Sequence, residues 1–224
     1  AELSAADSGR IALASAMLVA DSPLPDSESL EGRLSETCRS AALGLLGESV
    51  YSIGMGYRPW VLSAAMINAA IAQSGLAGDA GADARLYALA GDRPVEGLDS
   101  LEDQLALVVS GTDEEQIASL EAAAPKFLDG SFIAETKALV AAYDAGDRSE
   151  VARLVAASIA EGSSSDPSAA ADFRKLLYER NAAWARRLAA ALAAGGSYFV
   201  FAGAAHFLGP GSVFDEMRGL GAVD

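Results

Sequence analysis

Apolar positions recur at helical spacing along most of the chain, and breakers cut that pattern into segments. Leu3 to Val19 reads as a first helix, stopped by Asp21-Ser22-Pro23 and Pro25. Ser27 to Leu46 reads as a second, after which Gly47, Gly54 and Gly56 punctuate a loop holding Tyr51 and Met55. Pro59 suits a helix N-terminus, and Trp60 to Ala72 is apolar nearly all round, as a buried helix would be. Gly75 to Gly81 reads as an acidic linker and Ala82 to Ala90 as a short helix. Asp99-x-x-Glu102 and Ser100-x-x-Asp103 both have capping-box spacing. Thr112 caps another helix, with Asp113, Glu114 and Glu115 at its positive end. Ala134 to Ala145 and Ser149 to Ala160 form a helical pair, Gly162 to Pro167 a loop, and Ala169 to Ala194 a long helix.

Two segments depart from the helical period. Arg93 to Leu98 reads as a short strand, and Ser197-Tyr-Phe-Val-Phe-Ala202 as a stronger one, aromatic and β-branched throughout. Its continuous apolar character suits a strand buried on both faces. Gly203 to Gly211 then forms a turn, Ser212 caps a helix to Arg218, and Gly219 to Val223 resembles a helix stop leading into a further strand. The predicted fold is a helix-rich α/β (α+β) domain over 1–224, with a small central mixed sheet covered by helices. Residues 100–194 would form a mainly helical insertion. Two strands make a marginal sheet, so either the sheet is small and covered by helices or sheet-forming sequence is missing at one or both ends.

The composition narrows the functional classes. The 224 residues are 51% hydrophobic with much alanine, which marks a folded chain of closely packed helices. The formal net charge of −15 repels nucleic-acid phosphates and disfavours docking on anionic membranes. Ile11 to Ala20 is apolar but far shorter than the ~20 residues of a bilayer span, and no basic segment precedes it. The single cysteine, Cys38, makes no intrachain disulfide and reads as a small buried helix residue. No GxSxG, HExxH or phosphate-loop motif is present.

Three units could carry chemistry. The sole histidine, His206, follows the second strand within a turn bounded by Gly203 and Gly209, glycines able to let a ligand approach closely. It could serve as a metal ligand or general base, or be a hydrogen-bonded structural residue. A zinc site usually needs three protein ligands, so His206 would need carboxylate partners. On the helix near Tyr178, Arg180, Trp184 and Arg187 share a face, and Glu179 lies about 100° around from Arg180. Arg180 could grip a carboxylate through two bonds, or the face could be solvated with Trp184 tucked inward. Glu96 or Asp99 could supply a carboxylate to the same strand-end crevice, although N-capping is the commoner use of Asp99.

Taken in order, these units resemble the TraB/GumN family, which includes the Tiki-type metalloproteases. The matches are Tyr178-Glu-Arg-Asn-x-x-Trp184, Phe201-Ala-Gly-Ala-Ala-His-Phe-Leu-Gly-Pro210 and Gly219-Leu-Gly-Ala222. Arg93 to Gln104 has the shape of a family segment in which glutamate is usual at the place of Asp99. Arg58-Pro59-Trp60 and Ala142 to Asp147 are weaker echoes. The resemblance implies a mixed α/β core with two GxxH motifs, of which Gly203-x-x-His206 matches the second. The first finds no counterpart, since no other histidine exists here, and Glu2 could hold the place of the family's acidic residue.

The resemblance implies a metal-dependent, peptidase-like hydrolase in which His206 and Glu2 bind Mn, Co or Zn. Glu179 and Arg180 would be catalytic, and Gly203, Gly209 and Asp99 would border the substrate. A chain without the first GxxH segment is expected to be inactive. The alternative is capture of a peptide or small-molecule ligand without turnover, as in the pheromone-shutdown branch, or an association with exopolysaccharide production. The alanine-rich, acidic composition suits a bacterial protein, and since many bacterial relatives are exported, the resemblance implies a periplasmic or secreted location rather than a cytoplasmic one.

Overall fold

Hydroxyl side chains open four of the helices. Ser35 accepts the Cys38 N–H, Ser100 that of Asp103, Thr112 that of Glu115, and Ser212 that of Asp215. At Thr112 the Glu115 side chain also reaches back to the capping residue's N–H, completing a capping box. The computed structural model describes residues 16–76, 81–165 and 174–224.

Among the described residues, nine α-helices follow the helical 16–20: α1 (Glu36–Gly54), α2 (Pro59–Gln73), α3 (Ala82–Ala90), α4 (Leu101–Val108), α5 (Asp113–Asp129), α6 (Ser131–Asp144), α7 (Arg148–Ser165), α8 (Arg180–Ala193) and α9 (Val213–Gly219). A π-helical stretch, Arg174–Glu179, leads into α8, and a 3-10 turn, Ala204–His206, precedes α9. No described helix is long and apolar enough to cross a membrane.

Two apolar centres hold these elements. The first joins α1, α2 and α5 through Leu30, Leu34, Cys38, Ala41, Leu62, Met66, Leu120 and Ala124. Small residues such as Ala41, Ala42 and Ala124 fill it, which lets helix backbones approach. Polar contacts at its edge fix the register of α5: Glu121 accepts the Ser35 N–H at 2.6 Å, and Asp113 binds Arg58 at 3.0 Å. The second centre joins α8 and α9 through Trp184, Ala185, Val213 and Met217, with Leu98, Ala202, Phe207 and Val223 against it. Lys126 of α5 reaches Glu135 of α6 and Glu161 of α7 at 3.0 and 2.7 Å, tying these helices together.

The expected central sheet is absent. Among the described residues the only β-pairing is an isolated antiparallel bridge between Pro23 and Tyr57. Neither 93–98, nor 197–202, nor the segment around Val223 is a strand. A strand exists only by pairing, and the described neighbours of these segments are side chains on helices. The Leu98 carbonyl accepts from Arg187 of α8 at 2.5 Å, and Phe201 lies edge-on to Tyr87 of α3 at 5.2 Å. β-Propensity describes a fit to a pleated surface and cannot supply that surface. The fold is all-helical, not the predicted helix-rich α/β.

Smaller differences have local causes. The second predicted helix begins at Ser35, because 27–34 forms turns that bury Leu30 and Leu34. Gly47 breaks α1 with φ 71°, but the helix resumes beyond it instead of giving way to a loop. α7 continues to Ser165, and the rest of the predicted loop lies outside the described residues. Most of the predicted first helix also lies outside them, although 16–20 is helical.

Burial pushes the Cys38 thiol from 9.0 up to about 12, with the Glu121 carboxylate adding to the rise and Arg39 opposing it. The unfolded thiol ionises first, so its stabilising contribution is complete below pH 9.0 and is lost as pH rises toward about 12. Denaturant titrations at rising pH are expected to show stability falling above pH 9.0, with a shallower fall in Cys38→Ala.

Candidate functional site

The C-terminal centre is organised on one face of α8. Arg180, Asn181 and Trp184 stand at successive positions of its first turns, and each finds a partner elsewhere in the chain. The arrangement follows from helical spacing, which puts Trp184 over the turn that carries Arg180. The Arg180 guanidinium carbon lies 4.7 Å from the Trp184 ring centroid, close enough for a cation–π contact.

Asp99, in the loop before α4, receives this face. Its Oδ2 accepts from Arg180 Nε at 3.0 Å, Arg180 Nη2 at 2.7 Å and Gln104 Nε2 at 2.6 Å. Its Oδ1 accepts from Trp184 Nε1 at 2.5 Å. The two side chains of the ion pair are 12% and 8% exposed for Arg180 and Asp99, so both charges have left most of their water. A pair this dry survives only when its hydrogen bonds are satisfied, and here both carboxylate oxygens are occupied. Asp99 therefore does not cap α4, a task Ser100 performs.

His206 sits in the 3-10 turn and is only 5% exposed. Its ring lies 4.4 Å from that of Trp184, tilted by 36°. Its Nδ1 is 2.6 Å from Asn181 Oδ1, and Asn181 Nδ2 donates to the Gly211 carbonyl at 2.7 Å. The Gly211 carbonyl can only accept, so the Asn181 amide nitrogen must face it and its oxygen must face His206. Nδ1 therefore carries the proton, and in the neutral ring Nε2 carries the lone pair. That is the tautomer a metal ligand or a base needs.

Gly211 makes this anchor possible. It has φ +71°, and a Cβ there would lie 2.8 Å from the Tyr178 ring. Any larger residue would push apart the turn and the start of α8. Gly209 also has a positive φ, +77°, whereas Gly203 has an ordinary φ of −54° that other residues adopt. Ser212 is buried and caps α9.

The structure thus brings together four of the residues singled out in the sequence. Arg180 and Asp99 bind each other, and Trp184 links them to His206. Glu179 is exposed, Gly203 and Gly209 flank the His206 turn, and Glu2 lies outside the described residues. Two members escaped the sequence reading. Asn181 lies inside the Tyr178–Trp184 segment, where its place one residue after Arg180 was the available signal. Gln104 gave none, since its role depends on the turn at Asp99. Among the described residues no group of three His, Cys, Asp or Glu is placed to hold a metal ion.

Comparisons with known proteins agree with the sequence resemblance. A sequence profile of the TraB/PrgY/gumN family matches residues 2–222. A protein of Treponema pallidum (strain Nichols), described as uncharacterized, is 33% identical over 207 residues. That match covers 90% of this chain and 60% of the relative, so it spans only part of the relative's length. No solved structure matches the chain.

Two outcomes are expected. Asp99→Ala strands the Arg180 charge and the Trp184 N–H, and should cost about 3–5 kcal/mol in denaturant unfolding, as loss of one partner of a buried pair does. Because His206 is the sole histidine, its 15N spectrum is unambiguous. It should show the Nδ1–H tautomer in the native protein and a mixture of tautomers in Asn181→Ala.

Proposed function

Because the chain belongs to the TraB/PrgY/gumN family, we propose that its His206 turn is one side of a peptidase-like, metal-dependent hydrolytic site. The observation that carries this reading is the anchoring of Nδ1 by Asn181, which directs the basic Nε2 away from that partner. Metal-binding histidines generally hold their second nitrogen in this way.

The described residues do not complete a metal site. Both oxygens of Asp99 are engaged by Arg180, Gln104 and Trp184, and His206 supplies one nitrogen where about three protein ligands are usual. Further ligands for Mn, Co or Zn would come from outside the described residues. Arg180 is already paired with Asp99, so its part is to hold Trp184 against His206 rather than to grip a substrate. His206 would act as ligand or base on a peptide carbonyl beside this wall.

The test is calorimetry on the full-length protein titrated with Mn2+, Co2+ and Zn2+. Stoichiometric binding of one of them is expected, with loss of that binding in His206→Ala at an unchanged melting temperature. Absence of binding by all three ions overturns the reading, as does a His206→Ala variant that binds metal like the parent.

A further inference from the structure

We propose that the cavity enclosed by α3, the turn between α6 and α7, and residues 200–214 binds an organic cation, an alkylated ammonium group carried on an apolar body. The ligand is not a peptide, and its binding requires neither metal nor turnover at His206.

The cavity has a volume of about 520 Å³, in the range of ligand pockets, about 300–1,000 Å³. Tyr143, Phe201, Phe207 and Phe214 all line it. Neighbouring rings steady this wall: Phe207 and Phe214 lie 5.6 Å apart, and Phe201 meets Tyr87 edge-on at 5.2 Å. His206 is not among the lining residues, although its neighbours Phe207 and Leu208 are.

Charge selects the sign of the ligand. Asp83 and Asp147 line the same space and are exposed, so their carboxylates stand where it meets water. Asp147 is fixed there by the start of α7, since it accepts the Glu150 N–H at 2.9 Å. Arg148, also in the lining, offsets one carboxylate and leaves a single negative charge. A ligand with one positive charge balances it. The net charge of −15 draws cations toward the surface and repels anions.

The aromatic wall selects the kind of cation. An aromatic face attracts positive charge through its quadrupole, and aromatic cages recur in the recognition of quaternary ammonium groups. A primary ammonium brings three N–H donors into a wall that is mostly apolar, where unpaired donors are costly. A quaternary ammonium has none, and its charge is spread over alkyl groups that pack against rings. A bare metal ion would need several oxygen or nitrogen ligands, and among the described residues no group of three His, Cys, Asp or Glu is placed to supply them. The cavity is larger than an ammonium head, so the remaining space takes an apolar body beside Leu86 and Val151.

The test is calorimetry on the intact chain without added metal. The probe is (2-phenoxyethyl)trimethylammonium, paired with its uncharged carbon isostere, (3,3-dimethylbutoxy)benzene; neither holds an amide or ester bond. Saturable binding of one cation per chain is expected, with the isostere about tenfold weaker or more, roughly 1.4 kcal/mol. Asp83→Asn combined with Asp147→Asn should weaken the cation about tenfold. Asparagine still caps α7, so the melting temperature should hold. Tyr143→Leu, at an exposed position, keeps apolar bulk and removes the ring, so it should weaken the cation and spare the isostere. Leu86→Trp, which fills the cavity, should abolish binding of both. Absence of saturable binding overturns the proposal. So does equal binding of the isostere, which would leave an apolar cavity alone. Cation affinity unchanged in the double aspartate variant or in Leu86→Trp overturns it as well, by placing the cation elsewhere on the acidic surface.

Discussion

A single carboxylate joins the two ends of the C-terminal centre. Asp99 is separated by 81 positions from Arg180 and by 85 from Trp184, yet it binds both. Burying such a charge is costly, and that cost is offset only while every partner stays in place. The loop before α4, the first turns of α8 and the indole that supports His206 are therefore stable together or not at all. The Arg187 contact with the Leu98 carbonyl extends the same seam by another turn of α8. The imidazole is thus placed both by the Asn181 anchor and by the Trp184 ring that the ion pair supports.

Much of the local structure was legible in the sequence, because its causes are local. Pro59, Ser100, Thr112 and Ser212 begin helices where their chemistry permits, and Trp184 turns inward as its place on an otherwise charged helix implies. Cys38 is buried in a helix, as a lone small thiol on an apolar face suggests. The partner of Asp99 was not legible in the same way. Its proximity to Ser100 made N-capping the natural expectation, and only the tertiary fold shows that a neighbour caps while Asp99 faces α8. Asn181 was visible as a letter in a motif, but its link between the Gly211 carbonyl and His206 depends on a turn 30 residues away.

The sheet failed for a different reason. The aromatic and β-branched run at 197–202 states what its residues tolerate, and pairing requires a second segment at about 4.8 Å. The described neighbours are helices α3 and α8, whose backbones are already saturated internally. Intrinsic preference and available partners therefore disagree at this one place, and such disagreements tend to mark function or assembly.

The burial of Cys38 between α1 and α5 has a consequence for how the helical body can be watched. A thiol kept protonated and shut from water does not form mixed disulfides with glutathione while the helices remain closed. Its capture by an alkylating reagent then requires a transient parting of those helices, so the labelling rate becomes a clock for breathing of the N-terminal half. With one sulfhydryl in the chain, that clock has a single hand.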